Sequence, residues 1–194
     1  MTRDRRTSDP RAADLLTRFA AAFDVPQHPV PVDSVACDLL GLMITETDDI
    51  EVSGLLVPQT MRVYVNAREA SENEGRRRFT IAHEIGHWVC QCDEGRITPA
   101  HPILCRDADM TDEVDKEMER EANNFAASLL MPEAQVHLVA ATGASVIAAA
   151  AQFGVSDVAM RWRYFNLGIP IADDDTGGVL NTAPDPCLSA KRGT

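Results

Sequence analysis

The residues best suited to chemistry in this sequence are two histidines four positions apart, with a glutamate directly after the first. They are His83, Glu84 and His87. On a helix of about 3.6 residues per turn, a spacing of four puts both imidazoles on one face, where they can bind the same metal ion. Glu84 lies about 100° around the helix from His83, beside the two ligands rather than between them.

This pattern predicts a hydrolytic zinc site. Zinc that is held by imidazoles and keeps one open position lowers the pKa of its bound water to about 7. A neighbouring carboxylate can accept the proton when that water attacks a carbonyl carbon. The prediction is that His83 and His87 bind Zn2+ and that Glu84 is the catalytic base.

The segment that positions these residues has the pattern of a buried helix. Ser71 and Glu74 have the spacing of a capping box, so the helix is predicted to begin there. Apolar residues lie on both sides of the polar triplet, as expected for a helix that lines a cleft. They are Phe79, Ile81, Ala82, Ile85, Trp88 and Val89.

A third protein ligand is predicted on a later helix, which contains three candidate glutamates: Glu117, Glu119 and Glu121. In steps of about 100°, Glu121 falls beside Phe125 at one edge of the apolar stripe. Glu117 lies farther out, and Glu119 lies near the opposite edge. A carboxylate so close to a buried face is costly unless it is paired or binds metal, which favours Glu121. The stripe comprises Val114, Met118, Ala122, Phe125, Ala126 and Leu129.

Two other ligand sets are weaker. Asp93 lies six residues after His87, where a metzincin has its third histidine, but Cys90 stands where the glycine of that signature belongs. Cys90 and Cys92 could join His87 in a structural zinc site, although their spacing is tighter than in zinc knuckles. Both sets remain alternatives to a glutamate from the later helix.

The rest of the chain predicts an α+β fold in which a zincin-like core has a small antiparallel sheet and is followed by a helical segment. A helix is expected at residues 11–23 and a short one after Asp33, followed by strands at 42–47, 52–57 and 62–65. The predicted division is a disordered start at 1–10, a metallopeptidase core at 11–132, a helical segment at 133–170 and a disordered tail at 171–194.

The helical segment resembles a helix-turn-helix. Residues 145–152 are Ala-rich, 153–155 form a tight turn, and Ser156 can cap a second helix at 157–166. Arg161 and Arg163 on the second helix could read DNA. The formal charge of −12 and the pI near 4.7 oppose binding to phosphates, so packing or partner contacts are favoured for Trp162 and Arg163.

The cellular setting is predicted to be cytoplasmic. The basic start of the chain is not followed by an apolar segment, which excludes a signal peptide from these residues. An odd, scattered set of cysteines indicates reduced thiols rather than a disulfide framework. They are Cys37, Cys90, Cys92, Cys105 and Cys187.

Taken together, residues 78–87, 121–127 and 129–132 resemble the ImmA/IrrE family of bacterial metallo-endopeptidases, with weaker similarity at 31–33, 53–54 and 65–66. The resemblance extends over residues 12–168. It implies that His83, His87 and Glu121 bind zinc in a gluzincin arrangement and that Glu84 is the base. It also implies a substrate, which is a helix-turn-helix transcriptional repressor of the Cro/C1 type, cut during stress or mobile-element induction.

Two other functions compete with proteolysis. One is a DNA-binding regulator with a structural zinc, and the other is a zinc-containing module that binds a repressor without cutting it. Some roles stay open as well. The group that stabilises the oxyanion could be His101, His137 or Tyr164, and the hydrogen-bond acceptors expected behind the ligand histidines are not assigned to any residue.

Overall fold

The computed structural model describes residues 8–23, 28–93, 95, 103–104 and 113–171. The helices are α1 (Pro10–Phe23), α2 (Val32–Ser34, continued by a π turn at Val35–Leu39), α3 (Ala67–Glu72), α4 (Glu74–His87, continued by a π turn at Trp88–Asp93), α5 (Glu113–Leu130), α6 (Glu133–Ala141), α7 (Val146–Phe153) and α8 (Asp157–Leu167). The strands are β1 (Met43–Thr47), β2 (Gly54–Val57), β3 (Arg62–Asn66) and β4 (Ile103–Leu104). These elements confirm the α+β class.

The sheet is mixed, so the expectation of an antiparallel sheet was wrong. Its strand order is β1-β3-β2-β4, and β3 pairs with β2 in antiparallel and with β1 in parallel orientation. The turn at Pro58–Thr60 returns the chain beside β2, and β3 thereby takes the position between β2 and β1. Alternating burial makes Val63 and Val65 part of the core, which suits a central strand.

Helix α4 forms the centre of the described core. It packs against α5 on one side and against β2 and β3 on the other. Every residue from Thr80 to His87 is buried, which fits the predicted buried helix. At Gly86 a Cβ atom would lie 3.0 Å from the Cα and the carbonyl oxygen of Ala122, so glycine is what allows α4 and α5 to approach so closely.

Asparagines, rather than the predicted capping box, begin the helices near the site. Ser71 lies inside α3, whose N-cap Asn66 accepts a hydrogen bond from the backbone of Glu69. A break at Asn73 separates α3 from α4, and the Asn73 side chain accepts from the backbone N–H of Arg76. The Ser71 prediction was wrong because the short helix before the break was not recognised.

The two ends of the chain, where disorder is expected at 1–10 and 171–194, lie mostly outside the described residues, which begin at Ser8 and end at Ile171. There, Asp9 is buried, and its backbone N–H donates to the Ser128 hydroxyl. Residues 8–10 therefore belong to the packed structure. No helix in the described ranges is long and apolar enough to cross a membrane.

The two helices predicted in this segment, α7 and α8, are present and are joined by a short turn. The side chains of Ser145 and Ser156 cap the two helices, and α7 ends at Gly154 in the left-handed conformation. The two arginines of α8 differ in exposure. Arg163 is fully buried and Arg161 is half-buried. Arg163 is thus a packing residue, as its sequence context favoured.

An ion-pair cluster at the start of α4 should make the fold sensitive to acid. Arg77 donates to both carboxylate oxygens of Asp33 at 2.7 and 3.0 Å and to Glu46 at 2.7 Å. The hydrogen bond from Arg77 lowers the pKa of Asp33. Because the folded pKa lies below the unfolded value of about 3.9, the stabilisation is complete above that pH and is lost as the pH falls through the folded pKa.

We therefore expect Asp33→Asn to lower the melting temperature at pH 7 by roughly 2 °C, since a half-exposed pair contributes up to about 1 kcal/mol. The difference from wild type should shrink as the pH falls below about 4. Melting curves across pH test this, with Asp14→Asn on the exposed face of α1 as the control. An undiminished difference at the acidic end would contradict the assignment to Asp33.

Candidate metal centre

The two histidines of α4 point their Nε2 atoms at each other. These atoms are 2.9 Å apart, and the rings are nearly perpendicular. His87 is fully buried, whereas His83 is 7% exposed. The predicted pairing of His83 and His87 on one helix face is therefore present in the fold.

The carboxylate that meets the imidazoles is Glu119. Its Oε2 lies 3.2 Å from Nε2 of His83, and its Oε1 lies 3.1 Å from Nε2 of His87. Among the described residues, His83, His87 and Glu119 form a group whose ligand atoms could hold one metal ion. Glu121, the residue favoured from the sequence, is not part of this group.

The choice between Glu119 and Glu121 depended on which edge of the α5 stripe faces α4. The two glutamates lie about 200° apart around the helix, so they cannot face the same neighbour. Gly86 of α4 contacts α5 at Ala122. Glu119 lies about 60° from Ala122 on the side towards Ala126 and about 40° from Asn123, whose side chain contacts His83, so this edge of the stripe faces the histidines.

Amide oxygens accept hydrogen bonds at the far side of each imidazole. Nδ1 of His83 lies 3.0 Å from Oδ1 of Asn123, and Nδ1 of His87 lies 2.7 Å from Oε1 of Gln91. An amide oxygen can only accept, so each Nδ1 carries the proton and each Nε2 presents its lone pair. These are the acceptors that the sequence did not locate. The four-residue spacing of Glu119 and Asn123 on α5 was an available signal.

Gln91 is held in place by the irregular end of α4. Gln91 lies within the π turn at Trp88–Asp93, four residues after His87. Its amide nitrogen donates to the carbonyl oxygen of Met118 at 3.0 Å, which fixes the orientation of the amide. Because Met118 directly precedes Glu119, Gln91 joins the histidine helix to the glutamate helix at the site.

The charges at the site stabilise one another. Burial alone would raise the pKa of Glu119, but in the state where His83 and His87 are charged and carry a proton on Nε2 as well, their hydrogen bonds hold it far below its usual value. For His87, burial lowers the pKa, and the hydrogen bond to Glu119 together with the charge of Glu84 raises it overall. Both shifts favour the charged forms, so the site stabilises an ionised Glu119 carboxylate and a positive charge on His87 beside it.

The donor set fits a divalent metal ion. With Nδ1 protonated on both neutral rings, two Nε2 lone pairs and an anionic carboxylate converge within 3.2 Å of one another. Such electron-rich atoms repel unless a cation or a shared proton lies between them. Two imidazoles and one carboxylate are also a ligand set that catalytic zinc sites use, with the fourth position left open.

Glu84 is fully buried, and its carboxylate lies against the backbone of β2. A Cβ atom at Gly54 would collide with Oε1 of Glu84 and would lie 2.6 Å from Cγ2 of Thr80. The absence of a side chain at Gly54 is therefore what provides room for the Glu84 carboxylate. The negative charge of Glu84 also acts to raise the pKa of His87, a member of the predicted metal site.

We expect Gly54→Ala to displace the Glu84 carboxylate while His83, His87 and Glu119 keep their positions. Catalysis should then fall by about 10-fold or more, because general-base catalysis depends on a positioned carboxylate. Zinc affinity should stay within about twofold of wild type, since no ligand moves. Peptidase assays and zinc titration check the two expectations, and loss of zinc together with activity would contradict them.

The other residues considered as metal ligands or oxyanion stabilisers lie away from the metal group or outside the described part of the chain. Glu117 contacts Arg120 at 3.5 Å, and His137 and Tyr164 line a groove between α6, α7 and the end of α8. The metal group found among the described residues does not include Cys90 or Cys92. His101 and Cys105 lie outside the described part of the chain, and so does the side chain of Asp93.

This fold is that of a zincin-like domain whose His83, His87 and Glu119 could hold a metal ion, and a family comparison agrees. Residues 37–164 match the peptidase M78 model, described as the IrrE N-terminal-like domain, and the chain therefore belongs to that family. The predicted family resemblance is confirmed. The match supports a metallopeptidase-like or regulator-related function for the domain.

Among solved structures, a Mycobacterium tuberculosis transcriptional regulator is similar, with a TM-score of 0.57 and 17% sequence identity. The similarity covers 82% of this chain and 48% of that one, so the chain spans about half the length of that regulator. At this identity the likeness shows the fold alone. No curated protein matches.

Proposed function

We propose that the protein is a zinc-dependent endopeptidase in which His83, His87 and Glu119 bind the metal. The observation that carries this proposal is the convergence of two imidazole Nε2 atoms and one carboxylate within 3.2 Å, beside a buried glutamate. Membership of the peptidase M78 family supports the same reading. The chemistry is hydrolysis of a peptide bond by water.

Each residue has a separate task in this reaction. A bound zinc ion would supply Lewis acidity at the carbonyl oxygen and lower the pKa of water to about 7. Glu84 accepts the proton of the attacking water at its carboxylate and then delivers it to the leaving amine. Asn123 and Gln91 keep the imidazoles in the Nδ1-protonated form through their amide oxygens.

The proposed substrate is a helix-turn-helix transcriptional repressor of the Cro/C1 type, and its cleavage would relieve repression in stress or mobile-element induction. The support is the resemblance of the metal helix and of residues 121–132 to the ImmA/IrrE proteins, together with the family match. A repressor is a protein partner, and an acidic enzyme of charge −12 suits its basic DNA-binding surface.

Direct DNA reading by α8 is less well supported. Arg163 is fully buried and donates to the Met131 carbonyl, so it is not presented to a groove. Arg161 is half-buried, and the remaining charge of the chain is strongly acidic. Sequence-specific binding needs several side chains at base edges and phosphates. We assign α7 and α8 to packing rather than to DNA.

The proposal is tested by incubating the purified protein with zinc and a Cro/C1-type repressor and looking for repressor fragments. Defined fragments that disappear on chelation support an endopeptidase. A stable complex with uncut repressor would instead indicate a binding module. Retention of operator DNA at low salt, with a steep loss at higher salt, would favour the DNA-binding alternative.

A further inference from the structure

The turn between α7 and α8 is held by a buried arginine of the metal helix. Nε of Arg78 donates to the carbonyl oxygen of Gly154 at 3.1 Å, and its NH2 group donates to that of Val30 at 2.9 Å. Gly75 at the start of α4 touches the same turn, where an added Cβ would lie 3.6 Å from the backbone nitrogen of Ser156. The turn of the helix-turn-helix-like pair thus packs on the helix that carries both histidines.

A second buried arginine connects the same pair to the glutamate helix. Arg163 of α8 is fully buried, and its Nε donates to the carbonyl oxygen of Met131 at 2.9 Å. Met131 directly follows α5, the helix of Glu119 and Asn123. The NH2 group of Arg163 also donates to the Ser8 hydroxyl, which donates to Glu133.

Both guanidinium groups occupy positions that are costly for a charge. Burial lowers the pKa of Arg78, and it lowers the pKa of Arg163 to about 10. A buried cation is tolerated when its N–H groups are hydrogen-bonded, and here the acceptors include main-chain carbonyls of separate elements. Apolar side chains could pack α8 against the core without either charge. The two arginines instead fix the position of the α7–α8 pair through directed hydrogen bonds.

We propose that Arg78 and Arg163 are positioning residues of the metal centre, which lock the α7–α8 pair against both ligand-bearing helices and so fix the distance between them. The proposal rests on the metal site proposed above. The pair is then a brace for the site, and loss of either arginine, which releases the pair from a ligand-bearing helix, changes the geometry of His83, His87 and Glu119. Arg78 lies about 7.5 Å along its helix from His83, and Arg163 contacts α5 about 18 Å from Glu119. Arg78 should therefore have the larger effect.

The test uses Arg78→Met and Arg163→Met in the full chain, loaded with Co2+ as a spectroscopic substitute for zinc. We expect the Co2+ absorption bands to shift or broaden and the Co2+ affinity to fall by about tenfold in Arg78→Met, with a smaller loss in Arg163→Met. Lysine variants, which keep the charge and one donor, should restore part of the affinity. Where a methionine variant does not fold, its lysine variant is compared with wild type directly.

The matched control is Met160→Ala, which removes a fully buried side chain from α8 but leaves both arginines in place. It should lower the melting temperature as much as the arginine variants, because large-to-small core changes typically cost about 2–5 kcal/mol. Its Co2+ spectrum should match wild type. A control that perturbs the spectrum as strongly as Arg78→Met would overturn the proposal.

Hydrogen exchange in the metal-free protein provides a second readout that is independent of metal binding. Loss of either arginine should increase exchange in the ligand-bearing parts of α4 and α5 more than in α1, whereas Met160→Ala should not show this bias. If wild type binds no Co2+, the metal site fails, and the exchange pattern still decides whether the brace exists. The proposal would be refuted if exchange increased uniformly over the described helices, or if Co2+ binding were unchanged in the arginine variants.

Discussion

Glu84→Gln is expected to leave metal binding intact and to reduce peptide hydrolysis by about 10²- to 10⁴-fold, the usual contribution of a general base. The amide has nearly the same shape as the carboxylate, so it fits the buried space beside Gly54. It cannot accept the proton of the attacking water. The loss should appear in kcat, since the metal ligands and the substrate contacts are unchanged.

Repressor cleavage and zinc content, measured on the same preparation, check this expectation. Glu74→Gln is the control because Glu74 begins the same helix with its side chain 68% exposed, and this variant should retain wild-type activity. Cleavage by Glu84→Gln at the wild-type rate would rule out Glu84 as the base. Loss of zinc in the same variant would instead assign Glu84 a role in binding.

Helix α4, which carries His83 and His87, could be predicted from the sequence because the pattern that indicates it is local. Two histidines and a glutamate at fixed spacing determine which side chains share a helix face, and flanking apolar residues indicate burial. The caps of α7 and α8 are local in the same sense, since Ser145 and Ser156 bond to backbone groups three residues ahead. Such features need no knowledge of the neighbouring elements.

The remaining features depend on how distant segments meet. The mixed sheet follows from the position of β3 between β1 and β2, which no strand pattern specifies. Likewise, both edges of the α5 stripe offered a glutamate, and the packing of α5 on α4, which brings Glu119 and Asn123 to the imidazoles, decides between them. The sequence predicted that Arg163 packs, but not its hydrogen-bond partner. The acceptor is the main-chain carbonyl oxygen of Met131, which no side-chain pattern indicates.

Replacement of Glu119 by Gln is expected to reduce zinc affinity by more than about 100-fold, whereas the same change at Glu121 should alter it by less than about twofold. Removal of a hydrogen-bond partner behind a ligand already costs about 10- to 100-fold, and loss of an anionic ligand should cost more. Glu119 lies within 3.2 Å of both imidazoles, and Glu121 lies on another side of α5.

Zinc titration against a chromophoric chelator, with cleavage assayed in parallel, separates the two glutamates. Both changes remove one negative charge from positions two residues apart on α5, so a general electrostatic effect would weaken zinc binding similarly in the two variants. A specific ligand role affects Glu119→Gln alone. If Glu121→Gln lost zinc while Glu119→Gln retained it, α5 would have to present its other face to the histidines, and the contacts of Glu119 and Asn123 with the imidazoles could not then describe the metal-bound protein.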